Sequence, residues 1–243
     1  MFGELFVTLQ THPAKTFENP INHTHLSFAM IKNIIFDFGG VIITLDQPEA
    51  IRRFASLGLP AASSHLDAYT QGGIFGAVEE GRIDAETFRR ELSLMCSREL
   101  TWDECRHAWL GYKKELPARN LEMLKRLRRE GYRLILLSNT NPYMMSWAMS
   151  PEFSRGVDAE CMAGRPVCDY FDAVYLSYEV GCMKPDRRFF AHVLKHEGIK
   201  AGETIFLDDG PRNVEAAAEF GIQTIQPVNG ADWTQLLAAR LAE

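Results

Sequence analysis

The sequence has no apolar run approaching the roughly 18 to 20 residues of a membrane span, and its first residues lack the basic segment and apolar core of a secretion signal. The cytoplasm is therefore the expected location. Also missing is any Lys/Arg cluster interleaved with aromatics. With 26 basic against 32 acidic residues and a net charge of −6, binding to nucleic acid or an anionic membrane is disfavoured. The five cysteines, Cys96, Cys105, Cys161, Cys168 and Cys182, are odd in number and contain no CxxC pair. That argues against a zinc site and for free thiols in a reducing compartment. No internal repeat or low-complexity tract is present.

What is present, 46% hydrophobic residues in a chain of 243, suffices for one substantial core plus a small accessory domain. Residues 1–29 show no sustained period and carry His-Pro and Asn-Pro breaks, so they are expected to form a poorly packed extension. Met30 stands just before the first clear strand, and initiation there would give a complete-looking domain. From Ile31 onward strands alternate with helices, the pattern of a parallel sheet covered on both faces. Strands are predicted over 33–37, 132–137, 173–176, 204–207 and 223–226.

Between the first two strands lie several helices in succession, too many for a simple crossover. Pro48 opens one with Ile51, Phe54 and Ala55 on one face. Asp84 can cap a second that carries Phe88, Leu92 and Met95, and Thr101 with Glu104 makes a capping-box pattern ahead of a third. The reading is α/β: a three-layer α/β/α, Rossmann-like parallel sheet core (30–45 and 116–243) with an inserted helical-bundle cap (46–115).

Three predicted strands end on polar residues. Ile34-Ile35-Phe36 delivers Asp37, followed by Gly39 and Gly40; Leu137 delivers Ser138 and Asn139; Leu207 delivers Asp208 and Asp209. Ligands of open parallel sheets gather beyond these carboxyl ends. An ionised Asp37 can attack phosphorus to give an aspartyl-phosphate that water later hydrolyses. An anion attacking an anion needs charge neutralisation, which Mg²⁺ held by Asp37, Asp208 and Asp209 can supply. Gly39 and Gly40 can bring backbone N–H groups close to a bound anion. Ser138 and Asn139 can offer a hydroxyl and amides to phosphoryl oxygens. Lys184, fixed by the following Pro185, can reach a phosphate as a point charge.

On these residues the chain resembles the haloacid dehalogenase superfamily of phosphatases. The runs Phe36-Asp37-Phe38-Gly39-Gly40-Val41, Leu137-Ser138-Asn139-Thr140-Asn141, Met183-Lys184-Pro185 and Asp208-Asp209 with Asn213 are similar to bacterial phosphatases acting on glucose 1-phosphate. The resemblance covers about residue 30 to the C-terminus. It implies that Asp37 is the nucleophile, that Ser138 and Lys184 hold the phosphoryl group, and that Asp208 and Asp209 flank Mg²⁺, with Asp209 a direct ligand. It also implies that the Gly39 carbonyl completes the metal site and that Asn213 supports the lysine or the metal waters.

The chain departs from the family pattern in one respect. Most phosphatases of the superfamily carry a second aspartate two residues after the nucleophile, as general acid and then base, and that position is Gly39. The loss favours better leaving groups, or a cap residue or water in the missing role. The cap should select the substrate, and Gln71-Gly72-Gly73 and Glu79-Glu80-Gly81-Arg82 are its candidates to face the site. The polar stretch 150–168 is a further candidate for the site mouth, with an ordinary surface loop as the plainer reading.

The expected function is Mg²⁺-dependent hydrolysis of a small phosphate ester, a sugar phosphate above all, by a monomer or homodimer. One competing reading is a metal-independent 2-haloacid dehalogenase, against which the Asp208–Asp209 pair argues, since without a cation it is an unfavourable cluster of like charge. Another is a catalytically silent binding module of the same fold.

Overall fold

A computed structural model describes residues 30–67 and 71–242; the expected N-terminal extension lies outside the described residues. Five parallel strands form one sheet in the order β5-β4-β1-β6-β7: β1 (Asn33–Phe36), β4 (Arg133–Ser138), β5 (Ala173–Leu176), β6 (Thr204–Leu207) and β7 (Gln223–Ile225). The remaining strands, β2 (Thr44–Leu45) and β3 (Lys113–Glu115), pair with each other as a short antiparallel ribbon.

The central strands β1, β4 and β6 have apolar interiors because both faces are covered, and the two-residue period of a strand sorts their side chains. Ile34, Phe36, Leu134, Leu136, Ile205 and Leu207 turn to one face, where they meet Leu121, Leu124 and Leu127 of α5 (Ala118–Arg129) and Trp233 and Leu237 of α10 (Trp233–Leu241). Ile35, Ile135, Leu137 and Phe206 turn to the other. They pack there on Phe189, Phe190 and Val193 of α8 (Arg187–Glu197) and on Ala216 and Ala217 of α9 (Pro211–Ala218). These are the three layers that the sequence predicts.

Among the described residues, four α-helices lie between the ribbon strands: α1 (Gln47–Ser56), α2 (Gly73–Glu79), α3 (Ala85–Met95) and α4 (Trp102–Trp109). Their starts follow local chemistry. Asp46 caps α1 with Pro48 in the first turn, Asp84 accepts from the Thr87 N–H, and Thr101 and Glu104 form a complete capping box. Helix α2 is not predicted by the sequence, because its glycines and short length carry no period.

We propose that this segment is the cap. Its aromatic interior, Phe54, Phe75, Phe88 and Trp109, runs without a break into Tyr143 of α6 (Pro142–Ala148), and the Tyr143 hydroxyl donates to the Ala85 carbonyl at 2.6 Å. Cap and sheet therefore share one apolar cluster. Among the described residues no helix is long and apolar enough to cross a membrane.

Candidate active site

Strands β1, β4 and β6 are neighbours, so their carboxyl ends place Asp37, Ser138 and Asp208 side by side although they are far apart in sequence. Lys184 reaches them from the loop before α8. Its Nζ stands 2.8 Å from Asp37 Oδ1 and 2.6 Å from Asp208 Oδ2, and the side chain is almost wholly buried. One carboxylate oxygen each from Asp37, Asp208 and Asp209 lies within 4.8 Å of the others.

The carboxylates have different surroundings. Both oxygens of Asp208 are occupied: the Gly210 N–H donates at 2.8 Å, Lys184 donates to Oδ2, and the Asn213 amide donates to both oxygens at 3.0 and 3.1 Å. Asp208 does not line the cavity, whereas Asp37, Asp209 and Asn213 do. Burial raises the Asp37 carboxyl well above its ordinary value. The Lys184 ammonium works against this, while Asp208 and Asp209 reinforce it. Burial and the Asp208 charge likewise push Asp209 up to about 6, opposed by Lys184. Burial alone would lower Lys184, but Asp208 and Asp37 hold it above the usual lysine value.

Gly40 shows why a glycine stands beside this cluster. Its φ is +75°, and a Cβ there would fall 2.2 Å from Asp209 Oδ2. The residue lets the backbone approach Asp209 and does not itself line the cavity. Substituting Gly40→Ala should displace Asp209 and cost about 1–3 kcal/mol, from the left-handed conformation and the clash together. Urea denaturation checks it, and an unchanged midpoint with unchanged activity would contradict the close approach.

Asn139 lines the cavity, and its side chain has a structural role that the sequence does not suggest. Its amide donates to the Lys184 carbonyl and its Oδ1 accepts from the Lys184 N–H, both at 2.8 Å, so the side chain pins the lysine loop to the end of β4. Ser138 keeps its hydroxyl for the cavity, with only a long bond of 3.3 Å to the Asn139 carbonyl. Gly39 lines the cavity too.

The cavity, about 90 Å³, is roofed by the helical segment through Gln71, Glu79, Trp109 and Tyr112, with Thr140, Asn141 and Met144 on the facing wall. Of the two cap runs singled out in the sequence, only Gln71 and Glu79 reach it. Arg82 instead pairs with Glu80 at the surface. None of residues 150–168 lines the cavity; that stretch folds around Asp158, which takes hydrogen bonds from Lys125 at 2.9 Å and the Tyr170 hydroxyl at 2.6 Å.

Residues 31–221 match the haloacid dehalogenase-like hydrolase family. The chain belongs to the haloacid dehalogenase-like hydrolases. Among relatives of this haloacid dehalogenase-like hydrolase is the D-ribitol-5-phosphate phosphatase of Bacteroides thetaiotaomicron, 47% identical over 212 residues, which cover 87% of this chain and 99% of the relative. A predicted HAD-like family hydrolase from Porphyromonas gingivalis superposes with a TM-score of 0.81 at 41% identity, over 88% of this chain and all of that one. A HAD family enzyme of B. thetaiotaomicron, solved with magnesium and inorganic phosphate, superposes with a TM-score of 0.74 at 33% identity, over 85% of this chain and 98% of that one.

Proposed function

We propose that the chain is a Mg²⁺-dependent phosphatase of small phosphorylated metabolites, with a sugar or polyol phosphate as substrate and an aspartyl-phosphate on Asp37 as intermediate. The observation that carries this reading is the buried set of three carboxylates around one ammonium. Three negative charges against one positive leave a deficit that burial makes expensive, as the upward displacement of Asp37 and Asp209 records. A hard divalent cation removes it. The donor set fits Mg²⁺, which takes one or two carboxylates and fills its remaining positions with water and substrate oxygens. Asp37, Asp209 and the Gly39 carbonyl would hold it, with Asp208, its oxygens already engaged, orienting Lys184 and Asn213. Bound there, the cation would neutralise phosphoryl oxygens and stabilise charge during transfer.

The chain's own residues supply the other functions. Lys184 binds a phosphoryl oxygen and favours the ionised form of Asp37. The Ser138 hydroxyl and the backbone N–H groups after β1 and β4 bind the other oxygens. Asp37 attacks phosphorus, and its phosphoryl ester is then cleaved by water.

Two features support a compact, hydroxylated leaving group. The cavity is well below the roughly 300–1,000 Å³ typical of drug-sized ligands, and its roof carries polar groups, Gln71 and Tyr112 among them. Trp109 adds a buried indole N–H with no hydrogen-bond partner among the described residues, a donor suited to a substrate hydroxyl oxygen. The curated relative's named substrate is a pentitol phosphate, whose ester oxygen is that of a primary alcohol. The dehalogenase reading leaves the buried carboxylate set uncompensated.

Phosphate release from a panel of sugar and polyol phosphates tests the proposal. Activity should fall to background in EDTA and return with Mg²⁺, and Mg²⁺ should raise the melting temperature through its preferential binding to the folded chain. Full activity in EDTA, or chloride release from a 2-haloacid, would contradict it.

A further inference from the structure

Position 39 carries no acid, and the space a side chain there would enter is taken: a Cβ on Gly39 would lie 2.9 Å from Leu45 Cδ1. A polyol leaves as a poorly stabilised alkoxide unless it is protonated during bond cleavage. The phosphatase reading therefore requires a proton donor that the motif residues do not provide.

Only one further carboxylate among the described residues lines the cavity with Asp37 and Asp209: Glu79, the last residue of α2. It is held there from several directions. The Ser177 hydroxyl donates to its carbonyl while accepting from the Thr140 N–H, linking the cap to the end of β4. Two residues on, Gly81 crosses α7 (Ser177–Val180) so closely that a Cβ would fall 2.3 Å from the Tyr178 carbonyl oxygen. Asn141, which caps α6 through Oδ1, lines the same cavity, and its side chain works against the effect of burial on the Glu79 carboxyl.

We propose that Glu79 is the general acid of the first step and the general base of the second, in place of the aspartate missing at position 39. This rests on the phosphatase reading above. In the first step the bond from phosphorus to the ester oxygen breaks as Asp37 attacks. The departing oxygen takes the Glu79 proton, giving the free alcohol, the aspartyl-phosphate and a Glu79 carboxylate. In the second, a water molecule attacks phosphorus and gives a proton to Glu79; the Asp37 carboxylate and inorganic phosphate are released, and Glu79 is again protonated. Burial pushes the Glu79 carboxyl up to about 8, only partly offset by the Asn141 hydrogen bond, so the neutral form is the one present at neutral pH. Tyr112, Asp37, Asp209 and Lys184 are the other titratable groups on the cavity wall, and the Tyr112 phenol is raised by burial and by the Glu79 charge.

The test compares two leaving groups. With a polyol phosphate, Glu79→Gln, which replaces the neutral acid by a near-isosteric amide, should lower kcat/KM by about 10²- to 10⁴-fold. With p-nitrophenyl phosphate, whose leaving group is a stable anion, the same variant should release one nitrophenolate per active site in a burst and then turn over slowly, because only its second step is impaired. Glu79→Asp, which keeps an acid, should recover part of the polyol phosphate activity and carries the same contrast should the glutamine variant fail to fold. Equal losses on both substrates without a burst, or no loss on the polyol phosphate, would overturn the assignment. Failure of the phosphatase reading looks different: the wild type itself would release no phosphate from either ester.

Discussion

Replacing Asp37 by asparagine is expected to lower kcat on any phosphate ester by about 10⁴-fold or more, the scale on which removal of a covalent nucleophile acts, while leaving the fold intact. The expectation combines two observations. Asp37 lines the cavity within reach of Lys184, and its charge is disfavoured by burial and by Asp208 and Asp209. An amide at this position removes that disfavoured charge and still offers Lys184 an oxygen. In metal-free buffer the melting temperature should therefore hold or rise. A variant that loses activity because it unfolds would show the opposite, and steady-state kinetics with thermal melting separates the two.

Replacing Lys184 by methionine is the second large effect, and here stability and activity should fall together. The ammonium is the cationic partner of Asp37 and Asp208, and both it and Asp208 are buried. Removing one partner of a buried ion pair strands the other, at a cost of about 3–5 kcal/mol. Urea denaturation in EDTA should report it. Adding Asp208→Asn should return much of that stability, since the amide no longer needs a cation, without restoring hydrolysis. A single variant with wild-type stability would mean that the Lys184–Asp208 pair contributes little, and a double variant with restored activity would remove Lys184 from the phosphate site.

The framework of this site is legible in the sequence because each step is local. An apolar strand that ends on a polar residue places that residue at the carboxyl edge of a parallel sheet, and β1, β4 and β6 do this with Asp37, Ser138 and Asp208. Helix starts at Asp84 and Thr101 follow from capping chemistry that acts within four residues. What the sequence does not reveal depends on contacts between distant segments. Asn139 reads as a phosphate ligand, and nothing local shows that its side chain pairs with the backbone of Lys184, 45 residues away. Glu79 and Glu80 read as one acidic run, yet Glu79 is buried in the cavity and Glu80 pairs with Arg82 outside it. The contacts that sort them, the Ser177 hydroxyl on the Glu79 carbonyl and the packing of Gly81 on α7, come from residues about a hundred positions away. The ribbon strands β2 and β3 are too short to show a period, and α6 and α10 escape for similar reasons, one being seven residues long and the other of weak amphipathic character.

Rapid quenching of the enzyme in Mg²⁺ during turnover of whichever phosphate ester it hydrolyses fastest, followed by borohydride reduction and peptide mapping, tests the central claim most directly. A phosphoryl group on Asp37 is expected, seen as an aspartate reduced at that position and absent without substrate. Turnover that leaves Asp37 unmodified, or that places the phosphoryl group on another residue, would contradict it.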